Sequence, residues 1–181
     1  MSGSSRGWSE THLMLMDFDP AVRAVSSQPF WLHWHDERGR ARRHAPDFFV
    51  RRDDGAALVV DVRPDDRIPG RDAEAFTVTA SACELAGWEF RRVGELDPVL
   101  TANVRWLSRY RHRRCLVPEI AEALLRVFAQ GCGLSAGAAL AGEPIRVLPV
   151  LFHLMWQGRL VASLTGAPLS GSVIVSASGT R

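Results

Sequence analysis

The stretch Ala57–Val62, reading Ala-Leu-Val-Val-Asp-Val, constrains this chain more than any other. It is apolar, rich in β-branched residues, and set between the turn residues Asp53-Asp54-Gly55 and Pro64. A run of this kind reads as a strand buried at the centre of a sheet. Asp61 is foreign to such a strand, because a carboxylate beside buried valines needs compensation. Two sources are open: a metal ion, or an ion pair with Arg63.

Local signals place the elements around it. Ser9 reads as an N-cap and Pro20 as a stop, which predicts a helix over about 9–17. Strand-like text follows at Val22–Val25, Phe30–Trp34, 40–45 and Pro46–Val50, with turns at Asp36-Glu37-Arg38-Gly39 and Asp53-Asp54-Gly55. Ala75, Thr79, Ala82 and Ala86 lie on one face of a helix over 71–86, which Gly87 ends. Trp88–Val93 is another strand, and Asp97-Pro98 opens a helix to about 109. This order predicts an α/β or α+β fold, a mixed sheet flanked by helices.

The basic segment Arg109–Arg114 reads as a boundary. Beyond it, Pro118–Gln130 is amphipathic, and Leu134–Leu140 and Val147–Trp156 read as two more helices. Leu160–Leu164 is a short strand onto which Gly171–Val175 can pair back. Three helices and a hairpin are the order of a winged helix, and equally of a plain helical appendage. The expected organisation is a loose N-terminus over 1–8, a core domain over 9–114, a small helical or winged-helix-like domain over 115–165 and a flexible tail over 166–181.

Composition narrows the class. With 46% hydrophobic and 23% charged residues, disordered and collagen-like chains are excluded. The net charge of +2 does not by itself argue for nucleic acid, but its distribution does. Arginines 38, 40, 42, 43, 51 and 52 face one acid, Asp47, in their segment, and arginines 105, 109, 111, 113 and 114 face none in theirs. Such runs are usually solvated surface; if the chain acts on DNA, Arg40, Arg42, Arg43, Arg51, Arg111, Arg113 and Arg114 are the expected backbone contacts, with Trp34 or Tyr110 placed to stack on a base. All 22 Lys+Arg positions are arginine, so no mechanism that needs a lysine amine can run on this chain. Three cysteines without a CxxC fit a reducing cytosol. The start MSGSSRGWSE has no signal-peptide apolar region, and Val147–Trp156 is too short for a membrane span, so a cytoplasmic protein with no membrane partner is expected.

The chemistry concentrates in two places. Asp47 leads one strand of a hairpin, and Asp61 lies on the next, 14 residues on. Alternation puts Val60 and Val62 on one face of the second strand and Asp61 with Arg63 on the other. Two acids converging beside a fixed cation suit a hard divalent metal and a phosphate. His44 is expected to face away from Asp47, in a structural or phosphate-contact role. His33 and His35, one residue apart, lack an evident third metal ligand. His153, in an apolar helix, reads as a satisfied core histidine, and Gln28-Pro29 shapes a strand exit.

Pro46-Asp47 followed by Asp61-Val62-Arg63 resembles the PD-(D/E)xK nuclease motif, in which the two acids hold Mg²⁺ and a lysine helps to place the attacking water. With Glu10, Asp17-Phe18-Asp19-Pro20, Val25-Ser26-Ser27-Gln28-Pro29 and His44-Ala45-Pro46-Asp47 around it, residues 9–93 are similar to the TnsA-like endonuclease subunits of heteromeric Tn7-type transposases. The resemblance implies a restriction-endonuclease-like fold and an endonuclease that cuts one strand at transposon ends. It implies Mg²⁺ or Mn²⁺ as cofactor, and an integrase-type transposase and an ATPase regulator as partners. Carried over, Asp47 and Asp61 are metal ligands, the Val62 carbonyl is a third, Glu10 is the helix carboxylate, and Arg63 stands where lysine belongs. Arginine cannot act as a base, but it can clamp the scissile phosphate and stabilise transition-state charge. A non-catalytic DNA-binding or assembly subunit on the same fold, and a free-standing nuclease of defence or repair, are the alternatives.

Overall fold

A computed structural model describes residues 3–63 and 70–179. The chain divides into two compact units, Met1–Glu95 and Leu96–Arg181.

In the first unit the order is α1 (Gly3–Phe18), β1 (Val22–Ser27), β2 (Leu32–His35), β3 (Ala41–His44), β4 (Phe48–Arg52), β5 (Ala57–Val62), α2 (Gly70–Ala86) and β6 (Glu89–Val93). Four strands form one mixed sheet in the order β1-β4-β5-β6. The first two pairings are antiparallel and β5–β6 is parallel, as the crossover through α2 requires. The expected central strand is thus central, and Val59, Val60 and Val62 are buried in it. One face of the sheet carries Phe48, Val50, Leu58, Val60 and Val62, packed against Met16 of α1 and against Val22, Val25 and Val93. β2 and β3 form a separate two-stranded ribbon.

α1 begins at Gly3, upstream of the expected start at Ser9. Ser9 therefore lies inside the helix, and the Thr11 hydroxyl donates back to the Gly7 carbonyl at 2.8 Å, one turn earlier. Residues 1 and 2 of the expected loose terminus lie outside the described residues, as do Pro64 and the rest of 64–69.

The second unit starts earlier than the expected boundary near 114. It comprises α3 (Pro98–Leu107), α4 (Pro118–Val127), β7 (Cys132–Gly133), α5 (Leu134–Ala141), α6 (Pro144–Trp156), β8 (Leu160–Ala162) and β9 (Ile174–Ala177). α3 is capped by Asp97, whose carboxylate accepts from Val99 N–H at 2.8 Å. It belongs with this unit because its buried Asn103 donates to the carbonyls of Leu164 and Ala167 at 2.9 and 3.0 Å and accepts from Leu169 N–H at 2.9 Å. The tail expected to be flexible over 166–181 instead supplies β9, the middle strand of a three-stranded sheet ordered β7-β9-β8. Val175 of β9 is fully buried, and apolar burial together with two ladders outweighs the Ser/Gly-rich composition. His153 is buried and donates from Nδ1 to the Tyr110 carbonyl at 2.6 Å, while its Nε2 has no partner among the described residues. No single described helix is long and apolar enough to cross a membrane.

Candidate functional site

Asp61 projects from the face of β5 opposite the valine core and is 1% exposed. His44, the last residue of β3, donates from Nε2 to both carboxylate oxygens, at 2.9 and 3.1 Å. The imidazole stands edge-on to Phe76 of α2, 6.3 Å between centroids. Cys83 of α2 is also nearby: burial, and then the Asp61 charge, push its thiol above its ordinary value.

His44, expected to face away from Asp47 in a structural role, is bonded to the other acid, Asp61. Alternation holds only within one regular strand, and Ala45-Pro46-Asp47 interrupt the chain between the ribbon and the main sheet. His44 therefore reaches Asp61 from a different sheet.

Asp47 precedes β4. Its carbonyl accepts from Gln28 N–H at 2.9 Å, and Gln28 turns the chain out of β1 with a left-handed φ of 45°. The strand-exit role read for Gln28-Pro29 thus also fixes the backbone of Asp47. On the side chain, Oδ2 accepts from Val62 N–H at 2.8 Å. Burial holds the Asp47 carboxyl above its ordinary value and the Asp61 charge adds to this, while the Val62 N–H, Arg63 and His44 oppose it. The two carboxylates thus feel one another.

Arg63 follows β5. Its Nη1 donates to the Val62 carbonyl at 2.9 Å and lies 3.7 Å from Asp47 Oδ2. Its Nε lies 3.6 Å from Asp72 Oδ2 on α2. The guanidinium therefore bridges the end of β5 to the start of α2, partly exposed, beside Asp47.

Glu10 is exposed on α1, two residues and so roughly half a turn from His12. His12 is buried on the sheet side and donates from Nε2 to the Gly94 carbonyl at 3.1 Å. Burial lowers its pKa below the usual 6.5, while the Gly94 carbonyl and the Asp47 charge oppose that shift. The sequence signal was its spacing: His12 and Met16, four apart, share the face that packs on the sheet.

The expected DNA contacts separate into groups. Arg40 and Arg42 are bound to Asp36, at 2.9 and 2.8 Å. Asp36 is held at about 2, chiefly by the Arg40 backbone N–H and then by the two side chains and Arg38 N–H, against the opposing effect of burial. Arg43 sits over the Trp31 ring, 4.9 Å from its centroid, and Arg51 sits 6.0 Å from that of Phe49. Trp34, expected to stack on a base, is turned inward and donates to Glu74 of α2 at 2.9 Å. In the second unit Arg111, Arg113 and Arg114 are exposed in short turns around residues 108–115, and Tyr110 packs on Phe152 at 5.0 Å.

The donor set suits Mg²⁺ or Mn²⁺. Asp47 and Asp61 are two interacting carboxylates, and the Val62 carbonyl faces the same cation as Asp47, namely Arg63. Among the described residues no third His, Cys, Asp or Glu completes an all-protein cage. Mg²⁺ does not require one, since it is commonly held by one or two carboxylates, its own waters and substrate phosphates.

Residues 19–95 match the family model described as TnsA-like endonuclease N terminal. That range covers β1 to β6 and includes Asp47, Asp61 and Arg63. No curated protein matches the chain.

Proposed function

Because residues 19–95 are a TnsA-like endonuclease domain on a restriction-endonuclease-like mixed sheet, we propose that this chain is the metal-dependent, strand-cutting subunit of a Tn7-type transposase. One observation carries the reading. Asp47, on the turn into β4, accepts from Val62 N–H at 2.8 Å, one residue beyond the buried Asp61 of β5, with Arg63 Nη1 3.7 Å from its carboxylate.

In this reading Asp47, Asp61 and the Val62 carbonyl hold Mg²⁺ or Mn²⁺, which supplies Lewis-acid polarisation of the phosphate and lowers the pKa of the attacking water. Arg63, permanently charged, clamps the scissile phosphate and neutralises charge that develops in the transition state. His44 keeps Asp61 oriented, as a partner of a ligand does. The second unit has the strand and helix order of a winged helix, α4-β7-α5-α6-β8-β9. Its third helix is buried from Val147 to Met155 apart from Leu148 and Pro149, so the exposed arginines of 105–114 are its DNA-contacting groups. The expected partners are DNA at transposon ends, an integrase-type transposase and an ATPase regulator.

Arg63 Nη1 on the Val62 carbonyl also supports a second reading, in which the guanidinium stands in for the ion and the chain binds DNA without cutting it. Cleavage of labelled transposon-end duplexes, with the partner transposase and Mn²⁺ present, separates the two. The strand-cutting reading expects cleavage by the wild type, a loss of at least about 100-fold in Asp47→Ala, and equal or faster cutting by Arg63→Lys. Wild type and Arg63→Lys both inert would favour the non-cutting subunit.

A further inference from the structure

The ribbon of β2 and β3 has two unlike faces. Its register pairs Leu32 with His44, His33 with Arg43, Trp34 with Arg42 and His35 with Ala41. Directly paired residues of an antiparallel ladder share a face, so Leu32, Trp34, Arg42 and His44 lie together. That face is committed: Trp34 is bound to Glu74, Arg42 to Asp36 and His44 to Asp61.

The other face carries His33, His35, Ala41 and Arg43, all exposed, with Trp31 just ahead of the ladder. Trp31 is 55% exposed, a costly placement for so large an apolar ring. The Arg43 guanidinium sits over it, 4.9 Å from the ring centroid, and no position of this outer ladder is acidic. An aromatic ring, a guanidinium and two imidazoles on one side of a ribbon offer stacking and phosphate contacts together. A two-stranded ribbon is also narrow enough for the DNA major groove. Its inner face ends on Asp61 through His44, which ties the ribbon to the carboxylate strand.

We propose that the outer face of this ribbon is a DNA-binding surface, with Arg43 on a backbone phosphate and Trp31 stacked on a base or sugar beside the cleavage position. This rests on the endonuclease reading and assigns to Trp31 the stacking that Trp34, turned inward, cannot supply.

The test is binding of a labelled duplex to the full chain by fluorescence anisotropy, in EDTA and at several salt concentrations. Trp31→Ala is expected to weaken binding about tenfold, with Trp31→Phe retaining most of it. Arg43→Ala is expected to reduce the slope of log affinity against log salt by about 0.9, and Arg43→Lys to restore it. Arg91→Ala, a matched charge loss on β6, serves as the control and leaves the Trp31 effect unreproduced. Circular dichroism of each variant guards against unfolding. If the wild type binds and Trp31→Ala and Arg43→Ala bind equally well with the same slope, the ribbon proposal fails and the endonuclease reading stands. If those variants keep DNA affinity but lose a partner transposase, the surface is a protein contact and the proposal fails. A wild type with no affinity for duplex or single-stranded DNA overturns the ribbon proposal, while the endonuclease reading is decided by cleavage with the partner transposase present.

Discussion

His44 Nε2 meets both oxygens of the Asp61 carboxylate, at 2.9 and 3.1 Å, across the gap between two separate sheets. The contact joins the ribbon to the central strand and supplies the compensation that a carboxylate 1% exposed requires.

Removing that donor should be expensive. His44→Ala is expected to destabilise the chain by on the order of 3 kcal/mol, because Asp61 is left buried without its partner. Urea unfolding at neutral pH measures this. If Asp61 also holds a metal, the same variant weakens Mn²⁺ binding about 10–100-fold, and His44→Gln, which keeps a donor, recovers part of both losses. Unchanged unfolding in His44→Ala would contradict the contact.

Asp47 gives a prediction of opposite sign. Its carboxyl is held above the ordinary value of 3.8, chiefly by burial. Between 3.8 and that raised value the folded state binds more protons than the unfolded state, so this group's contribution to stability falls as pH rises through the window. The ionised Asp47 therefore costs stability at neutral pH. Asp47→Asn, which keeps an acceptor for Val62 N–H, is expected to melt at higher temperature than wild type at pH 7. The gain should vanish below pH 3.8, while cleavage is lost. Melting curves across pH check the sign.

In the second unit, Asn103 holds three backbone groups of the 164–169 segment. Asn103→Ala leaves two carbonyls and one N–H without this partner and is expected to cost about 2–3 kcal/mol. Hydrogen exchange of Leu169 N–H, and of its neighbours, should rise selectively, with β9 following only as the unit unfolds.

Much of the fold is legible in the sequence because local and tertiary signals agree. The valines of β5, the turn at Gly55 and the C′ glycine Gly87, with its φ of 69°, each specify one local geometry. The acid pair was legible for the same reason, since one strand's alternation fixes Asp61 against Val60 and Val62. What failed required knowledge of partners distant in sequence. The contact of His44 with Asp61 is not legible because alternation does not carry across the break between two sheets. Trp34 turned inward because Glu74, 40 residues on, offers an acceptor. The pairing of 171–175 back onto 160–164 is legible, but the tail reads as loose because the second ladder that buries Val175 comes from β7, far upstream. On α1 the helix was legible, but its rotation about its own axis was not, and this sets Glu10 outward and His12 inward.

Binding of Mn²⁺ to the full chain with a DNA end present, followed by electron paramagnetic resonance, tests the proposed centre most directly. The account predicts saturable binding by the wild type, and binding weakened at least about tenfold in Asp47→Asn and in Asp61→Asn variants that remain folded. Absence of saturable binding, or equal binding by wild type and both variants, would contradict it.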